Sequence, residues 1–174
     1  PFSWNWGVTL AAYGDMDALP LYQNVGVEDN IHSFQTLAAN IGAAKVRTSL
    51  GGLVAEQGYQ WNVSGYTYLA KGRLYPSLTA TYDTGVLLPV MRNTSAWLRL
   101  AAGQAFGDSD SAFGNEYFGG FGNNYVDCGK IFRYRDVNSM PGTEIDNITA
   151  PSFCKAMGEV NLQPLRFRNV GMLC

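Results

Sequence analysis

The 174 residues are enough for one domain, and a net charge of −2 leaves no basic surface that would bind a nucleic acid. Charged residues make up 15% of the chain, against roughly 25% in an average soluble domain, while a hydrophobic content of 47% excludes intrinsic disorder. No stretch approaches the roughly 18 consecutive apolar residues of a transmembrane helix, and the 20 glycines and 13% aromatic residues favour an all-β fold.

The first predicted strand covers residues 3–12, where apolar side chains alternate with polar or small ones. Four large apolar residues share one parity: Trp4, Trp6, Val8 and Leu10. Successive side chains of a β-strand point to opposite faces of its sheet. The segment therefore predicts a strand with one apolar face and one polar face.

The same alternation recurs along the chain and predicts about eight strands. The further segments are 36–43, 45–50, 59–64, 73–83, 96–103, 132–135, 153–161 and 165–168, with a possible strand at 116–121. In the segment 45–50 the apolar Val46 opposes Lys45 and Arg47, which predicts that both cations lie on the polar face. Trp97 falls on the polar parity of its own segment.

Glycine-containing turns separate the predicted strands, at residues 13–15, 50–52, 71–72, 83–85 and 107–110. Two connections are much longer, at residues 15–33 and 106–147. Short turns that alternate with long loops are typical of outer-membrane barrels, in which the long loops face outside. A connection as long as 106–147 is usually functional or carries structure of its own.

The composition of the two parities indicates a membrane-spanning sheet. The polar parity is rich in Gly, Ser, Thr, Asn and Gln but poor in charges, like the wall of a water-filled lumen, and Trp and Tyr recur near strand ends. Because lipid cannot satisfy free backbone N–H and C=O groups, only helices and closed sheets span a bilayer. We therefore predict an all-β fold, an antiparallel transmembrane β-barrel or part of one in contact with the lipid bilayer. Residues 1–174 would form a single β-barrel domain or a fragment of a larger barrel.

Two other classes stay open on the sequence alone. A soluble, secreted β-barrel or sandwich that binds an apolar ligand would show the same alternation with its apolar side inward. A structural subunit of a larger membrane complex would have its open strand edges covered by other protein chains. The direction in which Trp4, Val8, Leu10 and Leu98 point separates the membrane barrel from the soluble module.

The last third of the chain carries three motifs in a fixed order. They are Glu116-Tyr117-Phe118-Gly119-Gly120, then Phe132-Arg133-Tyr134-Arg135 with Met140-Pro141-Gly142, and then residues 153–165, in which Phe153 leads to Glu159, an apolar stretch and Pro164. In order and spacing they resemble the C-terminal barrel region of the bacterial surface-antigen, or outer-membrane barrel-assembly, superfamily. The resemblance implies the C-terminal part of a larger barrel in the bacterial outer membrane, with a role in transport, insertion or export.

The resemblance also implies a contact inside the barrel between a loop arginine and an acidic residue of the wall. On this basis Arg133 or Arg135 is expected to contact Glu159 in the lumen. A buried guanidinium needs such a partner, because an unpaired charge in a site of low dielectric constant is costly.

The sequence contains no recognisable catalytic or metal-binding pattern. Its one histidine, His32, is not accompanied by a nucleophile elbow. Its three cysteines, Cys128, Cys154 and Cys174, lack the spacing of a zinc site, and their disulfide state stays open. We expect no enzymatic activity and no cofactor.

Overall fold

The computed structural model describes residues 2–14, 33–48, 54–89, 94–108, 111–120, 135–144 and 147–162. Across these residues the chain is all-β, with one short 3-10 turn and no α-helix. The predicted all-β, antiparallel class is thus confirmed. No helix in the described part of the chain has the length and hydropathy needed to cross a membrane.

In the described part of the chain, eight strands form two antiparallel sheets. In chain order the elements are β1 (Phe2–Tyr13), β2 (Phe34–Arg47), β3 (Gln57–Ala70), β4 (Arg73–Leu87), β5 (Ser95–Ala105), the 3-10 turn (Ala112–Gly114), β6 (Glu116–Phe118), β7 (Ile148–Ala150) and β8 (Ser152–Asn161). The larger sheet has the order β1-β2-β3-β4-β5-β8, and the smaller sheet pairs β6 with β7. Among the described residues β1 and β8 each have one neighbouring strand, so both are edges of the larger sheet.

The register of the larger sheet sorts its side chains onto two faces of opposite polarity. Directly paired residues share a face, so one row reads Trp4, Ala43, Trp61, Tyr82, Leu100 and Ala156, and the adjacent row reads Asn5, Gly42, Asn62, Thr81, Ala101 and Lys155. We call the two sides the apolar face and the polar face. The alternation predicted for residues 3–12 is confirmed, because Trp6 and Leu10 lie on the apolar face, 80% and 76% exposed.

The polar face is covered in part by the connection between β5 and β8. Phe113, in the 3-10 turn, packs on Tyr68 and Tyr75 with ring centroids 4.5 and 5.8 Å apart. Phe118 of β6 is buried against Phe153 of β8, at a centroid distance of 4.7 Å. The connection therefore packs Phe113 and Phe118 on the polar face, whereas most large aliphatic side chains of the apolar face stay exposed.

The connections at the two ends of the larger sheet differ. The end where β1 finishes, which we call the loop end, receives the long β1–β2 and β5–β8 connections and also the turn Lys71-Gly72. Both residues of this turn have positive φ angles, 49° and 73°, which suit a two-residue hairpin. The tight turn between β3 and β4 is thus confirmed. The expectation that short turns and long loops alternate between opposite ends is wrong for this turn.

The break predicted between residues 36–43 and 45–50 is absent, because β2 is one continuous strand as far as Arg47. The apolar parity of the sequence changes at Lys45, but the backbone pairing continues in unbroken register. Lys45 and Arg47 consequently lie on the apolar face and Val46 lies on the polar face, the reverse of the prediction.

The turn predicted at residues 83–85 is also wrong, because these residues belong to β4. Asp83 is paired with Gln60 of β3, and Gly85 is paired with Trp97 of β5. These cross-strand contacts keep the segment extended, even though aspartate and glycine are frequent in turns.

Candidate functional site

A chain of hydrogen-bonded side chains crosses the polar face from β3 to β8. Gln60, Asp83 and Arg99 lie directly opposite one another in the register. Gln60 Nε2 donates to Asp83 Oδ2 at 2.7 Å, and Arg99 Nη1 donates to the same oxygen at 2.6 Å. Arg99 Nε donates to Glu159 Oε2 at 2.9 Å. Arg99 thus links carboxylates on the two strands that flank its own.

Arg135 joins this chain from the connection between β5 and β8. Its Nε donates to Glu159 Oε2 at 3.0 Å, and its Nη2 donates to Glu159 Oε1. This pairing is bidentate, the geometry in which a guanidinium binds a carboxylate with the greatest strength and specificity. We call Asp83, Arg99, Arg135 and Glu159 the charge cluster.

The charge cluster is balanced, since it contains two carboxylates and two guanidinium groups. Its four side chains are only 9–18% exposed. Removing a charge from water is compensated only where opposite charges and hydrogen bonds replace the lost hydration. Each member therefore depends on the others, and the loss of one would leave an opposite charge uncompensated.

Of the residues predicted for a loop-to-wall contact, the structure places Arg135 against Glu159, while Arg133 lies outside the described residues. Sequence reasoning does not single out Asp83 and Arg99. Both fall on the polar parity of predicted strands, which is the one signal that could have suggested them. Parity does not reveal which strands are neighbours or in what register, and those two facts bring the carboxylate and the guanidinium together.

Lys155 of β8 holds the turn that carries Arg135. Its Nζ donates to the backbone carbonyls of Asp136 and Ser139, both at 2.8 Å, and to that of Val137 at 3.3 Å. The same Nζ lies 3.2 Å from Ser139 Oγ. Because an ammonium group has three donors and no acceptor, these oxygens use its whole hydrogen-bonding capacity.

Residues 111–120, 135–144 and 147–150 form one unit, which we call the covering segment. Gly119 N donates to Asn138 O at 3.2 Å, and Met140 N donates to Gly120 O at 2.9 Å. The Asn138 side chain donates to Tyr117 O at 3.1 Å. Together with the β6–β7 pairing, these bonds give the covering segment an internal structure of its own.

The covering segment reaches far along the polar face. From Ser152, where β8 begins at the loop end, to Glu159 is roughly 23 Å along the strand, at about 3.3 Å per residue. Phe113 anchors the segment near the loop end, and Arg135 anchors it near the opposite end. The segment therefore lies lengthwise on the sheet and does not extend away from it.

Glu116 of β6 is a half-buried carboxyl in the covering segment. Burial raises the pKa of Glu116 above its ordinary value, and a hydrogen bond with Ser77 of β4 opposes this rise in part. Folding consequently favours the protonated form of this carboxyl.

The apolar face carries a band of aromatic rings at the end where β1 begins, which we call the belt end. Phe2 and Trp4 contact each other edge to face at 5.7 Å, and Trp4 contacts Trp61 in the same manner at 5.9 Å. Tyr59 and Tyr82 lie in the same two rows of the register. We call these five residues the aromatic belt.

Tyrosines near the loop end are arranged differently. Tyr66 and Tyr68 lie on the polar face, where Tyr68 packs under Phe113 of the covering segment. Their position close to strand ends, which contributed to the membrane prediction, therefore reflects packing of the covering segment. The described strands show an aromatic belt at one end of the apolar face.

No group of three or more His, Cys, Asp or Glu side chains that could hold a metal ion occurs in the described residues. Cys154 is unpaired and exposed on the apolar face, whereas Cys128, Cys174 and His32 lie outside the described residues. The described groups hold a long connection against a sheet.

No protein-family model, curated protein or solved structure matches the chain. The geometry of the two faces therefore carries the functional argument.

Proposed function

We propose that this chain forms part of a transmembrane β-barrel of the bacterial outer membrane. The observation that carries the proposal is the polarity of the larger sheet: among the described residues most large apolar side chains of the apolar face are exposed, while the polar face is covered in part. Val8, Leu10 and Leu74 on the apolar face are 65%, 76% and 63% exposed. A soluble sandwich or barrel would enclose this face, so the described arrangement favours the membrane protein.

Many apolar side chains of this face are exposed to water in the absence of a bilayer. Transfer of one Leu, Val or Phe side chain out of water is worth about 1.5–3 kcal/mol. Acyl chains offer this gain to every apolar residue on the face at once. The backbone of the paired strands carries its hydrogen bonds within the sheet, as hydrocarbon requires.

The length of the strands suits a bilayer. From Phe2 to Ala12, the apolar-face positions of β1 span roughly 33 Å along the strand. At the strand tilt of about 40° usual for outer-membrane barrels, this length projects to about 25 Å, the height of their apolar band. The aromatic belt lies at one edge of this band, where Trp and Tyr gather at membrane interfaces.

In this proposal the polar face lines the lumen, and the covering segment lies inside it. The charge cluster and Lys155 tie the segment to the wall. This arrangement agrees with the expectation from the surface-antigen resemblance, on which Arg135 and Glu159 form a lumen contact. A role in transport, insertion or export of other molecules, without catalysis, follows from the same resemblance and is part of the proposal.

The edges of the larger sheet favour a second candidate function, a structural subunit of a larger membrane complex. Among the described residues β1 and β8 do not pair with each other. A lipid-exposed strand edge would leave backbone groups unsatisfied, so additional strands must cover both edges. Strands of other protein chains would make the protein such a subunit.

Two tryptophans on opposite faces provide the test. Trp6 is 80% exposed on the apolar face, and Trp97 is 4% exposed on the polar face. We would prepare variants that retain only one of these tryptophans, reconstitute them in vesicles, and measure fluorescence quenching by phospholipids brominated on the acyl chains. The proposal expects strong quenching of Trp6 and little quenching of Trp97.

Both probes are tryptophans in the same protein, so the quenching of one serves as the control for the quenching of the other. Quenching of neither tryptophan would contradict the proposal, as would equal quenching of both. A heat-modifiable shift of the wild-type chain in detergent gel electrophoresis would support a closed barrel. The absence of this shift despite quenching of Trp6 would favour the subunit of a larger complex.

A further inference from the structure

Two cations lie on the apolar face at the belt end. Lys45 and Arg47 project from the same side of β2, with one residue between them, so that their backbone positions are roughly 7 Å apart. Both side chains are exposed, and neither has an ion-pair partner among the described residues. On the apolar face of the larger sheet, no residue of the six described strands carries a carboxylate.

The aromatic belt surrounds the first of these cations. In the register Lys45 lies between Phe2 of β1 and Tyr59 of β3. One row closer to the middle of the sheet, Trp4 and Trp61 close over Ala43, which is 2% exposed. Lys45 therefore lies in the outer row of the aromatic belt, and Arg47 lies beyond that row, at the edge of the apolar band.

This position has a defined chemical environment in a bilayer. Trp and Tyr place their rings at the level of the lipid headgroups, and lysine and arginine side chains extend from an apolar surface towards that level. The anion present at this depth is the lipid phosphate. Arginine binds phosphate through two parallel N–H donors, and lysine contributes a compact point charge.

We propose that Lys45 and Arg47, together with the aromatic belt, form a binding site for the headgroup of an anionic phospholipid. The site rests on the proposed function, because it requires the apolar face to contact a bilayer. Its continuity with that face favours a membrane lipid over a free anion or an acidic protein. Two cations without an ion-pair partner among the described residues give the site its charge complementarity to a phosphate.

The test measures lipid preference at the belt end. The wild-type chain is reconstituted in vesicles that contain a dansyl label on the headgroup of either phosphatidylglycerol or a zwitterionic phospholipid. Energy transfer from tryptophan to each label, titrated with label concentration, gives a ratio of apparent association constants. We expect the wild type to favour the anionic lipid, and each cation removed to lower the ratio about fivefold.

The variants are chosen to separate a site from a general effect of charge. Lys45→Gln with Arg47→Gln removes the site, while Lys71→Gln with Arg73→Gln removes the same charge at the loop end. Arg47→Lys keeps the charge but removes the two-donor geometry, and we expect it to lower the ratio less than Arg47→Gln. Loss of the preference for the anionic lipid in the double variant at the belt end, but not in the double variant at the loop end, supports the site.

Three outcomes would overturn the site. A wild-type ratio of one shows that no anionic preference exists, while energy transfer to both labels leaves the proposed function intact. An equal fall of the ratio in the double variants at the belt end and at the loop end shows a general effect of charge. An absence of transfer to either label removes the membrane contact, and with it both the site and the proposed function.

Discussion

Gly85 of β4 lies directly opposite Trp97 of β5, and the indole ring covers the glycine so closely that a Cβ atom there would overlap it. Trp97 is nearly buried although it lies on the polar face, and its Nε1 donates to Ser95 Oγ at 3.3 Å. Gly103 and Phe153 form a second pair of the same kind. In both pairs the glycine leaves the space that the neighbouring ring fills.

The change Gly85→Ala should destabilise the protein by about 1–3 kcal/mol, because the added methyl group displaces Trp97 from a packed position. Urea unfolding of the refolded protein, followed by tryptophan fluorescence, measures the effect. Gly158→Ala is the matched control, since a Cβ at Gly158 has no neighbour within 4 Å. The control should be neutral or stabilising by less than about 1 kcal/mol. Equal losses in the two variants would contradict the packing argument.

The change Glu159→Gln should destabilise the protein by about 2–3 kcal/mol, because it leaves Arg99 and Arg135 with an uncharged partner in a poorly hydrated position. The same unfolding measurement applies. Asp108→Asn serves as control, since Asp108 forms an exposed pair with Arg73 at 3.5 Å, and such pairs contribute about 0–1 kcal/mol. An unchanged unfolding midpoint in Glu159→Gln would show that the charge cluster does not hold the connection.

The change Lys155→Met should release the turn around Arg135, because it removes the ammonium group that binds the carbonyls of Asp136 and Ser139. Trypsin cleaves after arginine, and in the wild type Arg135 is paired and largely buried. We expect cleavage after Arg135 to become at least several times faster in the variant. Lys45→Met, on the opposite face, is the control and should cleave there at the wild-type rate. Equal cleavage in both variants would exclude a specific role for Lys155.

The burial of Glu116 gives a pH dependence of stability whose sign can be derived. Because burial raises the pKa of Glu116 in the folded state, its contribution is most favourable below the ordinary pKa of 4.5 and is lost as the pH rises through the raised pKa. Glu116→Gln should therefore raise the unfolding midpoint at pH 7 and leave it unchanged near pH 4. Glu144→Gln, a change of the same type at an exposed position of the covering segment, is the comparison variant. A lower unfolding midpoint of Glu116→Gln at pH 7 would contradict the inference that ionisation of Glu116 destabilises the folded state.

Alternation predicts most of the larger sheet correctly because each strand places apolar and polar side chains on separate faces. Residues 3–12 and 153–161 coincide almost entirely with β1 and β8. The prediction of β2 fails where charged residues occupy positions on the apolar face of the strand. Lys45 and Arg47 interrupt the apolar parity, and a continuous strand resembles two short ones when only the side chains are considered.

The candidate site is less accessible to sequence reasoning. The motif resemblance indicates a contact of Glu159 with Arg133 or Arg135, and the structure places Arg135 against Glu159. Arg99 lies on the same face of the sheet as Glu159 but contacts two strands that are far apart in the chain, β4 and β8. Such a contact depends on strand order, and alternation within a strand contains no information about its neighbours.

The two-residue turn at Lys71-Gly72 sets an order for assembly. Closing so short a loop costs little conformational entropy, so β3 and β4 can pair early and independently of the remaining strands. Closing the long connection between β5 and β8 costs more conformational entropy, so we expect these two strands to pair later than β3 and β4. That pairing brings Lys155 and Glu159 to the polar face, where they hold the covering segment.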